Sequence, residues 1–204
     1  FDEPVWLAGH SIGATTSVMA AARRPDNVLG LILAEPVIMD PRQGRKLWLS
    51  KLLRQSHRIP LAAGAARRRA VFDSRDDALD SYRGRGGFKS WPETWLEAYV
   101  RHAFVSDGDH VRLACSPEWE SATFAHTEHK PWSGIRQLQC EVVALAAEQA
   151  STFSPAARER FSALLPAAEV TVVAGTTHFL PMERPDAIRD TVRQKMSITV
   201  CESQ

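Results

Sequence analysis

A serine between two glycines lies near the start of the chain, in the run Gly-His-Ser-Ile-Gly at positions 9–13. This spacing is typical of a nucleophile elbow, a sharp strand-to-helix turn that pushes a serine Oγ toward substrate and requires small residues two positions to either side. An apolar run at 5–8 precedes the turn, and a small-residue segment at 14–22 follows it. We therefore predict that Ser11 is a nucleophile. The competing interpretation is a glycine-rich loop with an incidental serine.

A serine hydroxyl becomes a good nucleophile only when a base removes its proton, and histidine is suited to that task near neutral pH. The chain contains 7 histidines. His178 differs from the others because it follows a Gly-Thr-Thr turn after the last predicted strand and precedes the last predicted helix. Functional loops of parallel sheets follow the carboxyl ends of strands. We predict that His178 is the base.

Two regions of alternating strands and helices must position these side chains. The first has an apolar strand at 5–8, a helix that ends near Arg24 and a buried strand at 28–34. The second has strands at 141–146 and 170–173, with helices at 155–165 and from 184 or 185 to about 195. A strand, a helix and a strand at this spacing form a βαβ unit with parallel strands.

The region between them has no strong strand pattern and several amphipathic helical segments, at 45–54, 92–104 and 117–124. Trp119 and Phe124 of the last segment are expected in the core. We predict an α/β fold with a mostly parallel sheet, flanking helices and a helical cap insertion. Residues 1–39 and 138–204 would form the core domain, and residues 40–137 would form the cap.

Composition indicates one globular domain, or one plus a lid, without a strong electrostatic field. The 25 basic and 24 acidic residues leave a net charge of +1, which does not favour nucleic acid or a membrane as partner. The basic run at 67–69 is interpreted as a solvated helix face. No segment resembles a signal peptide or a membrane span, and Cys115, Cys140 and Cys201 form no C-x-x-C pair. We expect a cytoplasmic protein without metal or cofactor; its oligomeric state is undetermined.

The elbow and the run His-Phe-Leu-Pro-Met-Glu-Arg-Pro at 178–185 together resemble the α/β-hydrolase fold family. The resemblance covers the carboxyl-terminal part of that fold. It implies that the N–H of Ile12 is one oxyanion donor, and that further strands and the second donor precede Phe1. The chain is thus expected to be truncated at its N-terminus. We expect His10 and Phe179, which adjoin the nucleophile and the base, to line the substrate pocket.

The third member of the expected triad departs from the family pattern. The usual aspartate follows the strand at 141–146, and the family spacing assigns it to Ala150. Some members place the acid after the strand that follows the nucleophile helix, where this chain has Glu35. We prefer Glu35 over Glu148, with Asp40 third. The alternative role for Glu35 is a structural carboxylate that binds loop amides.

A serine nucleophile argues against the dehalogenases and epoxide hydrolases of this fold, which use aspartate. The leading hypothesis is a hydrolase that cleaves a small or medium apolar ester, thioester or amide through an acyl-enzyme. Carbon–carbon bond hydrolysis and a haloperoxidase-like activity remain open. So does a non-catalytic binding protein of the same fold, because the usual acid is missing.

Overall fold

The computed structural model describes residues 3–127 and 131–202, which contain a four-stranded and a three-stranded sheet with helices around them. The strands are β1 (Val5–His10), β2 (Val28–Ala34), β3 (Val71–Phe72), β4 (Phe104–Asp107), β5 (His110–Leu113), β6 (Glu141–Ala147) and β7 (Glu169–Val173). The α-helices are α1 (Ile12–Arg23), α2 (Pro41–Leu52), α3 (Pro60–Ala66), α4 (Arg75–Tyr82), α5 (Glu93–Ala103), α6 (Pro117–Ala125), α7 (Pro131–Ile135), α8 (Pro155–Leu164), α9 (Leu180–Glu183) and α10 (Pro185–Glu202).

The larger sheet is parallel throughout, with strand order β1-β2-β6-β7. Its two inner strands are the most apolar, and their side chains are almost all buried. Strands covered on both faces have this near-continuous hydrophobic pattern. The predicted fold class is therefore confirmed.

Helix α1 joins β1 to β2 and packs against the sheet through small side chains. Ala14, Val18 and Ala21 are buried in the same core as Leu31 and Leu33 of β2. The helix ends at Arg23, and Pro25 begins a short 3-10 turn that leads into β2. This end agrees with the prediction, because a proline cannot continue the helical hydrogen bonds.

The strand register places two polar residues at the same level of the sheet. His10, the last residue of β1, pairs with Ala34, the last residue of β2. Ser11 and Glu35 are the residues that follow, and both have positive φ, at 56° and 46°. The backbone therefore turns sharply after β1 and after β2, at the carboxyl edge of the sheet.

The last helix is longer than predicted, since it begins at Pro185 and extends to Glu202. Its buried Lys195 donates hydrogen bonds to Glu141 at the start of β6, at 2.5 Å, and to Glu169 at the start of β7, at 2.6 Å. A buried ammonium group requires such partners. The two ion pairs connect α10 to the amino ends of both strands. None of the described helices combines the length and the apolar character needed to cross a membrane.

The chain divides into two compact units, one formed by Phe1–Gly44 with Glu128–Gln204 and the other by Arg45–Thr127. The second unit corrects the expectation of an all-helical insertion. Strands β3, β5 and β4 form an antiparallel sheet, and their buried side chains pack with those of α4 and α5. Strands of two to four residues are too short to produce a recognisable alternation in the sequence.

Two further expectations about this unit are wrong. Trp119 and Phe124 are expected in the core, but Trp119 is 72% exposed and Phe124 is only partly buried. The side chains that α6 buries are those of Pro117 and Ala125. The basic run at 67–69 is not a helix face, since it follows the end of α3.

Arg68, the central residue of that run, lies inside the second unit. It donates to both carboxylate oxygens of Glu120 at 2.8 and 2.7 Å, and to the hydroxyls of Tyr82 and Tyr99. Burial lowers the pKa of Arg68, but these hydrogen bonds raise the pKa by more than burial lowers it, so the net shift is upward. The guanidinium therefore stays charged in its half-buried setting.

Only one of the two elbow glycines has no room for a side chain. A Cβ on Gly9 would lie 2.6 Å from the backbone N of Ala14 and the backbone C of Gly13, whereas a Cβ on Gly13 would meet nothing within 4 Å. The expectation that both flanking positions require a small residue therefore applies at Gly9 alone. Gly9 allows β1 to pass directly against the first turn of α1.

We predict opposite effects of alanine at these two positions. Gly9→Ala forces backbone atoms apart and should lower the free energy of unfolding by about 1–3 kcal/mol, a typical cost of overpacking. Gly13→Ala lies in open space in a helix and should not lower it, because alanine is the better helix former. Urea unfolding of both variants measures the difference. Equal destabilisation of the two would contradict the steric argument.

Candidate active site

Ser11 occupies the turn between β1 and α1 in a strained backbone conformation. Its φ of 56° and ψ of −124° lie outside the regions that residues with a side chain normally adopt. The turn is held because the N–H of Ser11 donates to Ala34 O at 3.0 Å, and Thr15 Oγ1 donates to Val37 O at 3.0 Å. Strain maintained by surrounding hydrogen bonds is a common property of functional turns.

The first turn of α1 offers backbone donors beside this serine. Ile12 is the first residue of the helix, and the first N–H groups of a helix have no acceptor inside it. The helix dipole adds positive potential at the same end. The geometry therefore suits negative charge that develops next to Ser11.

His178 lies in the loop between β7 and α9, as predicted, and its ring faces the serine. Its Nε2 is 3.0 Å from Ser11 Oγ. The loop is held by Glu183, whose carboxylate accepts the N–H of Thr177 at 2.6 Å and its hydroxyl at 2.7 Å. Gly175, with φ of 72°, makes the turn that precedes the loop.

Glu35 is completely buried, with 0% of its surface exposed. Its N–H donates to Leu145 O of β6 at 2.7 Å, and its positive φ turns the chain out of β2. The carboxylate Oε2 is 3.2 Å from His178 Nδ1. An ionised carboxylate in such a place needs several hydrogen-bond donors.

The last residue of β6 and the loop after it supply these donors. Oε1 of Glu35 accepts the N–H of Ala147 and the hydroxyl of Ser151, both at 2.6 Å, and Oε2 accepts the N–H of Thr152 at 3.0 Å. Burial raises the pKa of Glu35, but the hydrogen bonds from His178, Ser151, Ala147 and Thr152 lower it more. The net pKa lies below the ordinary value, so the group is a carboxylate at neutral pH.

This carboxylate determines which nitrogen of His178 carries the proton. A carboxylate only accepts hydrogen bonds, so Nδ1 must donate, and in the neutral ring Nε2 is then an acceptor. Nε2 can therefore accept the proton of the Ser11 hydroxyl. Ser11, His178 and Glu35 form one continuous chain of contacts.

The other candidate acids lie elsewhere in their loops. Glu148 is exposed, and its Oε2 accepts the N–H of Gly175 at 3.0 Å, which connects the loops after β6 and β7. Asp40 Oδ1 accepts the N–H groups of Arg42 and Gln43 at the start of α2. Ala150, the position assigned to the acid by family spacing, is exposed with φ of 48°.

His10 and Phe179 both lie against the ring of His178. His10 Nε2 donates to His178 O at 2.7 Å, and the two imidazole rings are 5.0 Å apart. The pKa of His10 lies below its ordinary value, mainly because of burial. The hydrogen bond to the His178 carbonyl opposes part of this shift. The Phe179 ring packs edge-on at 5.6 Å from that of His178. Their assignment to a substrate pocket stays a prediction.

Sequence reasoning missed the residues that surround Glu35. Ser151 and Thr152 carry hydroxyls in the loop after β6, and Thr152 Oγ1 is also 3.2 Å from His178 Nδ1. The available signal was the polar pair Ser-Thr in the loop where the aspartate is missing. Hydroxyls there are poor acids, but they are good donors to an acid from elsewhere.

Comparison with known proteins shows the family of this chain. A model of the alpha/beta hydrolase family matches residues 1–191. A curated relative, monoglyceride lipase of Rattus norvegicus, is 50% identical over 36 residues, which are 18% of this chain and 12% of that protein.

Solved structures resemble the chain over almost its whole length. E-2-(acetamidomethylene)succinate hydrolase superposes with a TM-score of 0.78 at 20% identity, covering 96% of this chain and 67% of that one. An esterase of Mycobacterium tuberculosis gives a TM-score of 0.68 at 18% identity, covering 94% of this chain and 62% of its own.

The chain thus spans about two thirds of the length of these structures and a small part of the lipase. At such identities the structural likeness concerns the fold. The family match is independent of it and extends through both the elbow and the histidine loop. The chain belongs to the alpha/beta hydrolase family.

Proposed function

We propose that this protein is a serine hydrolase that cleaves a small or medium apolar ester, thioester or amide through an acyl-enzyme. The observation that carries the proposal is the contact chain from Ser11 Oγ to His178 Nε2, at 3.0 Å, and from His178 Nδ1 to Glu35 Oε2, at 3.2 Å. In this role Ser11 is the nucleophile, His178 the base and Glu35 the acid. These separations are within the range expected of a nucleophile, its base and the group that orients the base.

The first half of the reaction forms an ester on Ser11. As Oγ attacks the carbonyl carbon of the substrate, its proton moves to His178 Nε2. The ring becomes an imidazolium, whose positive charge is stabilised by the Glu35 carboxylate next to Nδ1. The same Nε2–H then protonates the leaving group, so the alcohol, thiol or amine departs neutral.

The tetrahedral intermediate places a negative oxygen beside the start of α1. We assign the N–H of Ile12 as one donor to this oxygen, because it is the first free donor of the helix and adjoins Ser11. Hydrolysis of the acyl-enzyme repeats the sequence with water. His178 removes a proton from the water and returns it to Ser11 Oγ as the acid product leaves.

We propose that the predicted cap, residues 40–137, which includes the second compact unit at Arg45–Thr127, selects substrates. Large apolar side chains are exposed on and after α2, among them Trp48, Leu49, Leu52 and Leu53. Apolar surface of this kind suits an apolar acyl or alcohol group. His10 and Phe179 would line the acyl site next to the nucleophile. The names of the compared proteins, a lipase, an esterase and a hydrolase, agree with this reaction class.

The other functions of the fold receive less support. A binding protein without catalysis has no need for a buried carboxylate beside His178, because burial of that charge is costly. Carbon–carbon bond hydrolysis and haloperoxidase-like activity would use the same three side chains, so they are tested by substrate screening. We further propose a cytoplasmic protein that acts on a small molecule without cofactor, metal or nucleic acid.

A fluorophosphonate probe tests the nucleophile. We expect the protein to be labelled covalently, and Ser11→Ala to abolish both labelling and hydrolysis of p-nitrophenyl esters, by roughly four orders of magnitude or more. Intact mass spectrometry measures the adduct. Ser17→Ala is the control and should label normally, because the Ser17 hydroxyl donates to Gly13 O within α1 at an exposed position. A folded protein without an adduct would exclude the serine hydrolase.

Two matched substitutions test the acid. Glu35→Gln should lower kcat roughly 10³- to 10⁴-fold, because an amide can donate to Nδ1 and so favour the wrong tautomer of His178. Glu148→Gln should change kcat by less than about twofold, since an amide oxygen can still accept the N–H of Gly175. Steady-state kinetics on one ester measures both. The reverse outcome would transfer the role to Glu148.

The lowered pKa of Glu35 predicts a pH-dependent stability. A carboxyl group whose pKa is lower in the folded protein stabilises it above the unfolded pKa, which is about 4.3 for glutamate, and loses this effect as pH falls through the folded pKa. Glu35→Gln should therefore lower the free energy of unfolding by about 1–3 kcal/mol at pH 7. The loss should become progressively smaller below a pH of about 4. Urea unfolding of both proteins across this range measures it. A difference that is constant or grows on acidification would be inconsistent with an ionised Glu35.

A further inference from the structure

Thr152 contacts the acid and the base at the same time. Its N–H donates to Glu35 Oε2 at 3.0 Å, and its Oγ1 lies 3.2 Å from His178 Nδ1. We propose that Thr152 is a positioning residue, whose hydroxyl shares the Nδ1–H of His178 with Glu35 and so fixes the ring toward Ser11. The inference rests on the proposed function and deepens it.

The direction of the hydrogen bond follows from the neighbours of the hydroxyl. Besides the ring, Thr152 Oγ1 lies 3.2 Å from Glu35 O, 3.3 Å from Pro36 O and 3.4 Å from Glu35 Oε2. Carbonyl and carboxylate oxygens only accept, so the single hydroxyl proton belongs to one of these three oxygens. The lone pairs of Oγ1 then remain available to Nδ1–H. Thr152 thus acts as an acceptor toward His178.

The ring proton therefore faces two oxygens at the same distance, Glu35 Oε2 and Thr152 Oγ1, both at 3.2 Å. Neither contact is short for a hydrogen bond of this type, and a shared proton accounts for that. Two acceptors on the same side of the ring limit its rotation more than one does. The carboxylate disfavours the tautomer in which Nδ1 has no proton, because that lone pair would face a negatively charged oxygen.

The contribution is greatest when the ring carries a positive charge. Hydrogen bonds that involve a charged partner are stronger than neutral ones. The hydroxyl of Thr152 is neutral and its contact with the ring is part-buried. It therefore does not replace Glu35, which supplies the negative charge beside the imidazolium. Its removal should slow the reaction by less than the removal of Glu35.

Three substitutions separate the hydroxyl from the shape of the residue. Thr152→Val keeps the volume and the N–H to Glu35 but removes Oγ1; we expect kcat to fall roughly tenfold with KM nearly unchanged. Thr152→Ser retains the oxygen and should restore kcat to within about threefold of the original protein. Should the valine variant not fold, Thr152→Cys, which replaces oxygen by a weak acceptor, is compared with Thr152→Ser instead.

A matched control accounts for the loss of any part-buried hydroxyl. The Thr191 hydroxyl in α10 donates to Ala187 O at 2.8 Å, and Thr191→Val should leave kcat unchanged while altering thermal stability about as much as Thr152→Val. A valine variant of Thr152 with kcat within about twofold of the original would overturn the proposal. So would a serine variant as slow as the valine variant.

A spectroscopic measurement tests the contact without turnover. The proton on His178 Nδ1 should give a low-field resonance in proton NMR, absent from His178→Gln. We expect this resonance to move in Thr152→Val and to return toward its original position in Thr152→Ser. An unchanged resonance in the valine variant would overturn the proposal. If the original protein neither labels nor turns over, the proposed function fails, and the resonance still decides whether Thr152 and His178 interact.

Discussion

The burial of a negative charge at Glu35 is the constraint on which the rest of the site depends. A carboxylate with no exposed surface is tolerated only when donors surround it. One is the N–H of Ala147 at the end of β6, two come from Ser151 and Thr152 in the loop after it, and another is His178. The ring of His178 is therefore oriented by the same contacts that satisfy the charge.

The parallel sheet makes this arrangement possible because its strands end at one edge. β1 delivers Ser11, β2 delivers Glu35 and β6 delivers the loop with Ser151 and Thr152, in strand order. The paired residues His10 and Ala34 place the first two turns at the same level. Positive φ values at Ser11 and Glu35 turn the backbone out of the sheet after both strands.

The loop after β6 has a different task here from the one that the family resemblance assigns to it. It carries no aspartate at Ala150; instead its amides and hydroxyls bind the acid from the neighbouring strand. This arrangement keeps a carboxylate beside His178, but the carboxylate belongs to the residue that follows β2 and not to a residue that follows β6. In the proposed mechanism the loop residues act through Glu35 and His178, so Thr152 contributes without touching substrate.

Much of the site could be predicted from sequence because local pattern encodes local structure. The elbow is defined by five consecutive residues, and the strand, turn and helix around it have distinct periodicities. The position of His178 follows from its place after the last strand. The small sheet in residues 45–127 could not be found this way, since its strands are too short, and the exposure of Trp119 depends on how α6 packs.

The sequence by itself determined the order of strands and helices around the parallel sheet, the serine at the elbow and the histidine loop. Only the tertiary structure decided which carboxylate meets the ring. Glu35 and His178 are separated by 143 positions, and their contact depends on strand register, on a positive φ at Glu35 and on donors from a third loop. Glu148 is nearer to His178 in sequence, yet its carboxylate accepts the N–H of Gly175. The physical reason is that hydrogen-bond partners of a buried charge are brought together by packing across the sheet, and no contiguous pattern in the chain records that packing.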